Sequence, residues 1–207
     1  MANVPSLLRL VLLGLIGAAI VHITVLLLVP VFSDTNAWTR IEATTAAYRF
    51  EPLDRKRGLS GDGDPLIREA VCRFDLADGP VHLTAERPVP YWSLSIYAPN
   101  GDNLYSLNDS VSGEKRLNLI VADPIGMASL RASDARAGAS EDATTGTTTG
   151  AQDGAQPVAP SLGNSIPVEQ DIGEGMAVLR VFMPDATWQG EVQRFLDGAR
   201  CVTLGGG

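Results

Sequence analysis

From Leu10 to Val29 the chain is almost purely apolar, and only His22 and Thr24 interrupt the run. Wound as a helix at about 1.5 Å per residue, those positions cover about 30 Å, the thickness of a bilayer's hydrocarbon core. The pattern predicts one transmembrane helix within residues 1–32. A cleaved signal peptide is the competing reading, because such a peptide also begins a chain with an apolar run. Its run is usually about 7–15 residues long and ends at a small-x-small site. Here the run is longer, and "LLLVPVFSDTNA" offers no Ala-x-Ala site. An uncleaved anchor is therefore expected.

Residues 33–68 read as a connector. "SDTNAWTRIEATTAAYRF", Ser33 to Phe50, predicts a short helix capped by Ser33, Asp34 or Asn36, with Trp38, Ile41, Thr45 and Tyr48 near one face. Trp38 also falls where an interfacial aromatic would lie. The basic cluster Arg55–Arg57 reads as a solvated loop, although such clusters also touch anionic headgroups. "GLSGDGD", Gly58 to Asp64, lacks the Lys-Ser/Thr ending of a phosphate-cradling loop and reads as a flexible turn.

The period then changes to two, and residues 69–204 read as a β-rich body. In "AVCRFDL" Ala70, Cys72, Phe74 and Leu76 alternate with Val71, Arg73 and Asp75, and "PVHLTA" follows a turn of Asp and Gly. In "YWSLSIYA" Trp92, Leu94, Ile96 and Ala98 face one way, while Tyr91, Ser93, Ser95 and Tyr97 face the other. "PNGD" is a strong hairpin signal, since Asn-Gly readily adopts the positive φ angles of a primed turn. "NLYSL" returns, and "RLNLIVA" sets Leu117, Leu119 and Val121 on one face. Alternation at this spacing argues half-buried antiparallel strands.

Between about 131 and 165 the pattern vanishes. The stretch is rich in Ala, Gly, Thr and Pro and has no aromatic residue, so it cannot bury enough apolar surface to offset its ordering entropy. A disordered insert is expected. Order resumes with "SIPVEQDI" and "GMAVLRVFMP"; the latter is apolar on both faces, as a central strand would be. "DATWQGEVQRFLDGARC" predicts a C-terminal helix, capped by Asp185 or Thr187, with Trp188, Val192, Phe195, Leu196 and Ala199 as its apolar stripe. The expected fold is mainly β, an antiparallel sheet or sandwich with a C-terminal helix, preceded by a single N-terminal transmembrane helix.

Charge and chemistry narrow the function classes. The 207-residue chain has a formal net charge of −8, which argues against nucleic acid as a partner, because phosphate contact needs clustered Lys and Arg. Two histidines and two cysteines, all far apart, leave no metal-ligand spacing, and neither metal nor cofactor is expected. His82 is the one base of its kind outside the apolar run. Asp75, Asp78, Asp102, Asp109 and Asp123 are candidate carboxylates for acid–base hydrolysis; beside glycines and turns, such residues are more often solvated or structural.

Cys72 lies on the apolar face of a strand, and Cys201 is expected to end the last helix. In an exported body the two would tend to pair, closing a loop of about 130 residues for roughly 4–5 kcal/mol in the chain-entropy model. Two buried thiols acting as small hydrophobes are the alternative. Tyr91, Tyr97 and Tyr105 with Asn108 and Asp109 are candidate binding residues for a sugar or lipid headgroup, since rings supply flat apolar area and amides fix hydroxyls. Ordinary cross-strand packing of tyrosines is the competing account.

"AVCRFDLADGPVHL", "YWSLSIYAPNGDNLYSLND" and "GMAVLRVFMPDATWQ" resemble two related bacterial families, the domains of unknown function 1254 and 1214, and most closely the short membrane-anchored members of the former. The likeness covers most of Ala70 to Gln189 apart from the insert, and it implies a β-rich envelope domain without assigned chemistry. Taken together, the expectation is a single-pass plasma-membrane protein with its N-terminus in the cytoplasm and its body in the periplasm. It would act as a non-enzymatic interaction or accessory subunit of another envelope protein. Arg9 and the terminal amine favour this orientation, while Arg40, Arg49 and Arg55–Arg57 oppose it.

Overall fold

The structure is a computed structural model that describes residues 4–32, 37–53, 64–112, 115–142 and 162–205. Arg55–Arg57, the glycine-rich residues 58–63, the helix caps proposed at residues 33–36 and the central part of the insert lie outside the described residues. Residues 1–39 and 40–207 form separate compact units.

The first unit is dominated by helix α1, Val4–Phe32. From Pro5 to Leu28 its mean hydropathy is 2.7, and none of that stretch is buried. Leucine, isoleucine and valine project on every side. A helix apolar all round has no polar face to give to water, so its stable surroundings are a protein core or lipid. By length and composition it is able to cross a membrane, and a signal sequence passes the same test.

Helix α2, Ala37–Thr44, ends earlier than the Ser33–Phe50 helix read from the sequence. Thr44 and Thr45 turn their hydroxyls back onto the carbonyls of Arg40 and Ile41, and Ala47 leaves the helix to bridge Arg73. β-branched threonines pack poorly into a helical turn and compete for its carbonyls, which accounts for the stop.

The second unit carries nine strands: β1 Glu51–Pro52, β2 Ile67–Asp75, β3 Val81–Ala85, β4 Tyr91–Tyr97, β5 Asn103–Asn108, β6 Leu117–Ala122, β7 Ile166–Glu169, β8 Glu174–Phe182 and β9 Arg200–Thr203. They form a five-stranded sheet in the order β1-β2-β8-β4-β5 and a four-stranded sheet in the order β7-β6-β3-β9. All pairings within the sheets are antiparallel except β6 with β7. Helix α3 is Pro124–Asp142 and helix α4 is Gln189–Gly198.

The molecule is thus mixed α/β, with two β-sheets and a C-terminal helix. The N-terminal apolar helix and the C-terminal helix are as expected, whereas "mainly β" leaves out α3, a helix of 19 residues. As the sequence predicts, β8 is central, with Ala177, Leu179 and Val181 buried on one face and Met176 and Val178 on the other.

Both sheets contribute to one apolar core. Ala70, Cys72, Phe74, Trp92, Leu94 and Ile96 enter it from the first sheet, and Val81, Leu83, Leu117, Leu119 and Cys201 from the second. Helix α4 adds Val192, Phe195 and Leu196, with Trp188 packed at the margin, as the apolar stripe predicts. Asp185 accepts from the Thr187 amide at 2.8 Å and starts this segment. A smaller core lies on the outside of the second sheet, where Met127 and Leu130 of α3 cover Ile120 and Ala122.

Four boundaries differ from the sequence reading. Helix α3 runs to Asp142, so the stretch expected to be disordered from about 131 is helical over its first residues. At its other end Leu162 is already placed, its amide held by the Asp134 carboxylate at 3.0 Å. The expected connector 33–68 contributes β1 and the first residues of β2 to the first sheet. Cys201 lies in β9 rather than at the end of a helix, because Ala199 is extended and breaks α4.

Candidate functional site

The β4–β5 hairpin sets the first candidate surface. Its turn is not primed: Gly101 N–H donates to Ala98 O at 2.9 Å, so Pro99 and Asn100 form the corners. Neither has a positive φ, whereas Gly101 follows at φ 92°. Proline fixes a negative φ at the first corner, which steers the loop to three residues ending in a left-handed glycine.

On the outer face of the first sheet, the register lays residues out in rows. Ile67, Phe182 and Tyr91 are cross-strand neighbours, followed by Glu69, Arg180, Ser93 and Asn108. Next come Val71, Val178, Ser95 and Ser106, and then Arg73, Met176 and Tyr97. Arg180 Nε donates to Glu69 Oε1 at 2.8 Å, and Arg180 Nη1 reaches the Tyr97 hydroxyl at 3.5 Å. At one end Arg73 donates to Thr45 O at 3.2 Å and pairs with Glu42.

Tyr91, Tyr97 and Asn108 therefore share this face, but Tyr105 and Asp109 do not join them. Tyr105 pairs with Ile96 and packs against the core on the opposite side. Asp109 is buried, with Lys115 Nζ 4.0 Å from Oδ2 and no hydrogen-bond partner for Oδ1 among the described residues. The Asn108 side-chain oxygen Oδ1 accepts from the Ser110 amide at 3.0 Å. The three-tyrosine platform is thus split by the pleat, and Phe182, Glu69 and Arg180 take places near Tyr91 and Tyr97 that alternation within one strand does not reveal.

Burial pushes the Tyr97 hydroxyl's pKa upward, but hydrogen bonds with Arg180 and Ser95 and the guanidinium charge outweigh it, leaving the pKa below 10.0. Tyr48 is shifted the other way, chiefly by burial and by donation to the Asp78 carboxylate. Ultraviolet titration is expected to show one tyrosine ionising early and one late, with Tyr97→Phe deleting the early one. A depressed folded pKa means that Tyr97's contribution to stability appears as pH rises from its folded pKa towards 10.0 and is absent at lower pH.

Three of the candidate carboxylates, Asp75, Asp102 and Asp123, serve local turns. Asp75 accepts from Ala77 N, Asp78 receives the Tyr48 hydroxyl, Asp102 pairs with the Asn100 amide and Asp123 caps the start of α3 through Gly126 N. No group of three His, Cys, Asp or Glu residues suited to a metal occurs among the described residues.

Two cavities flank the second sheet. The larger, about 630 Å³, opens between the edge strands β1 and β9, with Cys201 in its lining. Its polar groups are partly engaged by their own segment: Glu51 accepts from Ala46 N and Arg200 donates to Asp197 O. The smaller, about 490 Å³, lies on the outer face of β3 and β6, on the part of the sheet that α3 leaves open. Here His82 Nε2 is 2.8 Å from Asn118 Oδ1, and Ser165 Oγ donates to the same oxygen at 2.9 Å. Asn118 Nδ2 in turn donates to Asn164 O at 3.2 Å.

One wall of this groove is the segment 163–167, which α3 anchors through Asp134. Asp134 holds the Leu162 amide, Ser165 N bonds Leu162 O at 2.9 Å, and Gly163 sits between them at φ 50°. Only glycine adopts such a left-handed turn without strain. Sequence reasoning singled out His82 but not its partners, which lie 36 and 83 positions further along the chain. No short-range pattern links them.

No protein-family model and no curated protein matches this chain. Among solved structures it is similar to the VPA0106 protein from Vibrio parahaemolyticus at 14% identity and a TM-score of 0.50, covering 81% of this chain and 34% of that one. An uncharacterized protein from Burkholderia cenocepacia aligns at 15% identity and a TM-score of 0.42, covering 75% and 35%. The chain spans about a third of the length of either protein. The likeness to the Vibrio protein is one of fold alone.

Proposed function

We propose that this chain is a single-pass plasma-membrane protein of a bacterial envelope, with a cytoplasmic N-terminus and an extracytoplasmic two-sheet body. The body serves as a non-enzymatic interaction or accessory subunit. The observation that carries this reading is the pairing of an unburied apolar helix with the Cys72–Cys201 disulfide inside the core. A helix apolar on every side suits a lipid surrounding, and a disulfide persists where thiols are not kept reduced. Resemblance of the strand motifs to the two bacterial families belongs to the same proposal.

The test places a reporter on the body. Ile125 is 80% exposed, so Ile125→Cys presents a thiol without disturbing the core. A membrane-impermeant maleimide is expected to label it in intact spheroplasts, and the purified chain is expected to retain its first 32 residues by mass. Labelling only after permeabilisation places the body in the cytoplasm and ends the proposal. Loss of the apolar segment makes it a cleaved signal, and the protein a secreted one.

A further inference from the structure

We infer that the groove on the outer face of the second sheet, built around His82, Asn118 and Ser165, is a binding site for a neutral sugar residue. The inference goes beyond the membrane placement and does not depend on it. It starts from the direction of the hydrogen bonds. Asn118 Nδ2 donates to the Asn164 carbonyl, which fixes the amide so that Oδ1 faces both His82 and Ser165. An amide oxygen only accepts, so His82 Nε2 must carry the proton. In the neutral ring Nδ1 then bears a lone pair.

That Nδ1 has no hydrogen-bond partner among the described residues, and it is not among the atoms sealed from solvent. The hydroxyl of Thr84, two residues along the same face, likewise makes no hydrogen bond among them. Ser165 spends its proton on Asn118 and keeps its lone pairs. Glu86 adds an exposed carboxylate at the rim. The groove thus presents a fixed, acceptor-rich set of polar groups beside the apolar surface of Ile166 and Pro167.

This combination selects a class of ligand. Several acceptors held at fixed positions call for several donors at fixed positions, and the hydroxyls of a pyranose supply them. Its C–H faces suit aliphatic walls. A volume of about 490 Å³ admits one or two sugar rings. Glu86 opposes an anion, and Arg116, which also lines the groove, opposes a cation. For a ligand of this size the dissociation constant is expected on the order of 1 mM.

The chain holds two histidines, which makes the site readable by nitrogen-detected NMR of the full-length protein in micelles. Methyl glycosides of glucose, galactose, mannose and N-acetylglucosamine are titrated to about 20 mM, well past the expected dissociation constant. At least one is expected to shift His82 Nδ1 saturably while His22, on α1, stays still. Thr84→Val and Ser165→Ala each remove a hydroxyl without emptying the core, and each is expected to weaken binding about fivefold. Unshifted His82 with all four glycosides overturns the site. Saturation by inorganic phosphate or ethanolamine without a sugar response overturns the ligand class. Full affinity in both variants overturns the assignment to this groove.

Discussion

Trp92→Ala is expected to destabilise the body by about 3–5 kcal/mol, a large share of the roughly 5–15 kcal/mol that holds an ordinary domain together. Trp92 stands on the inner face of β4, fully buried, opposite Val181 of β8. Truncation removes the largest side chain of the core and leaves a cavity that two hydrogen-bonded sheets cannot collapse to fill. It also removes a donor: Nε1 bonds the Lys115 carbonyl at 2.8 Å, and Lys115 sits at φ 56°. That bond adds to the Lys115 N–Ser112 O contact that closes the same turn. Trp92→Phe keeps most of the ring and loses the bond, so its cost is expected to be smaller, with looser residues near 115. Trp188→Ala provides the contrast, because Trp188 lies only partly buried at the edge of the same core. Urea unfolding followed by circular dichroism orders the three variants. A Trp92→Ala midpoint equal to that of Trp188→Ala refutes this account of the core.

Alternation marked the strands whose two faces have different surroundings, which is why β2, β4 and β6 are plain in the sequence. Strand β8 is plain for the opposite reason, being apolar on both faces and central. Strand β9 is not visible, since Arg200–Thr203 is a short edge strand directly after a helix and only Cys201 of it is fully buried. Helix α3 is hidden because Met127 and Leu130 are its buried residues among those described, and its Ala, Ser and Arg residues merge with the stretch that follows. The tyrosine platform shows what alternation leaves out. It sorts residues within a strand, but the face of Tyr105 is settled by its register with Ile96 across the hairpin. The groove around His82 is less legible still, because β3, β6 and the turn after α3 come together only when the sheet forms.

Removing the Cys72–Cys201 bridge is expected to cost about 3–5 kcal/mol, near the upper end for single disulfides. The reason is the sequence separation of 129, which encloses every strand from β3 to β8. In the chain-entropy account, the longer the loop, the more the bridge restricts the unfolded chain. Its position adds a local effect. Cys72 belongs to β2 of the first sheet and Cys201 to β9 at the edge of the second, so one bond joins the two sheets. Without it, β9 is a four-residue edge strand paired only with β3. The double variant Cys72→Ala/Cys201→Ala is therefore expected to show two changes: a lower urea midpoint, and faster amide exchange in β9 than in β8. Unaltered exchange in β9 with a lower midpoint assigns the whole effect to the unfolded chain. An unchanged midpoint means the sheets hold without the bridge. The body would then fold in a reducing compartment as well, and the disulfide would lose its weight as a marker of export.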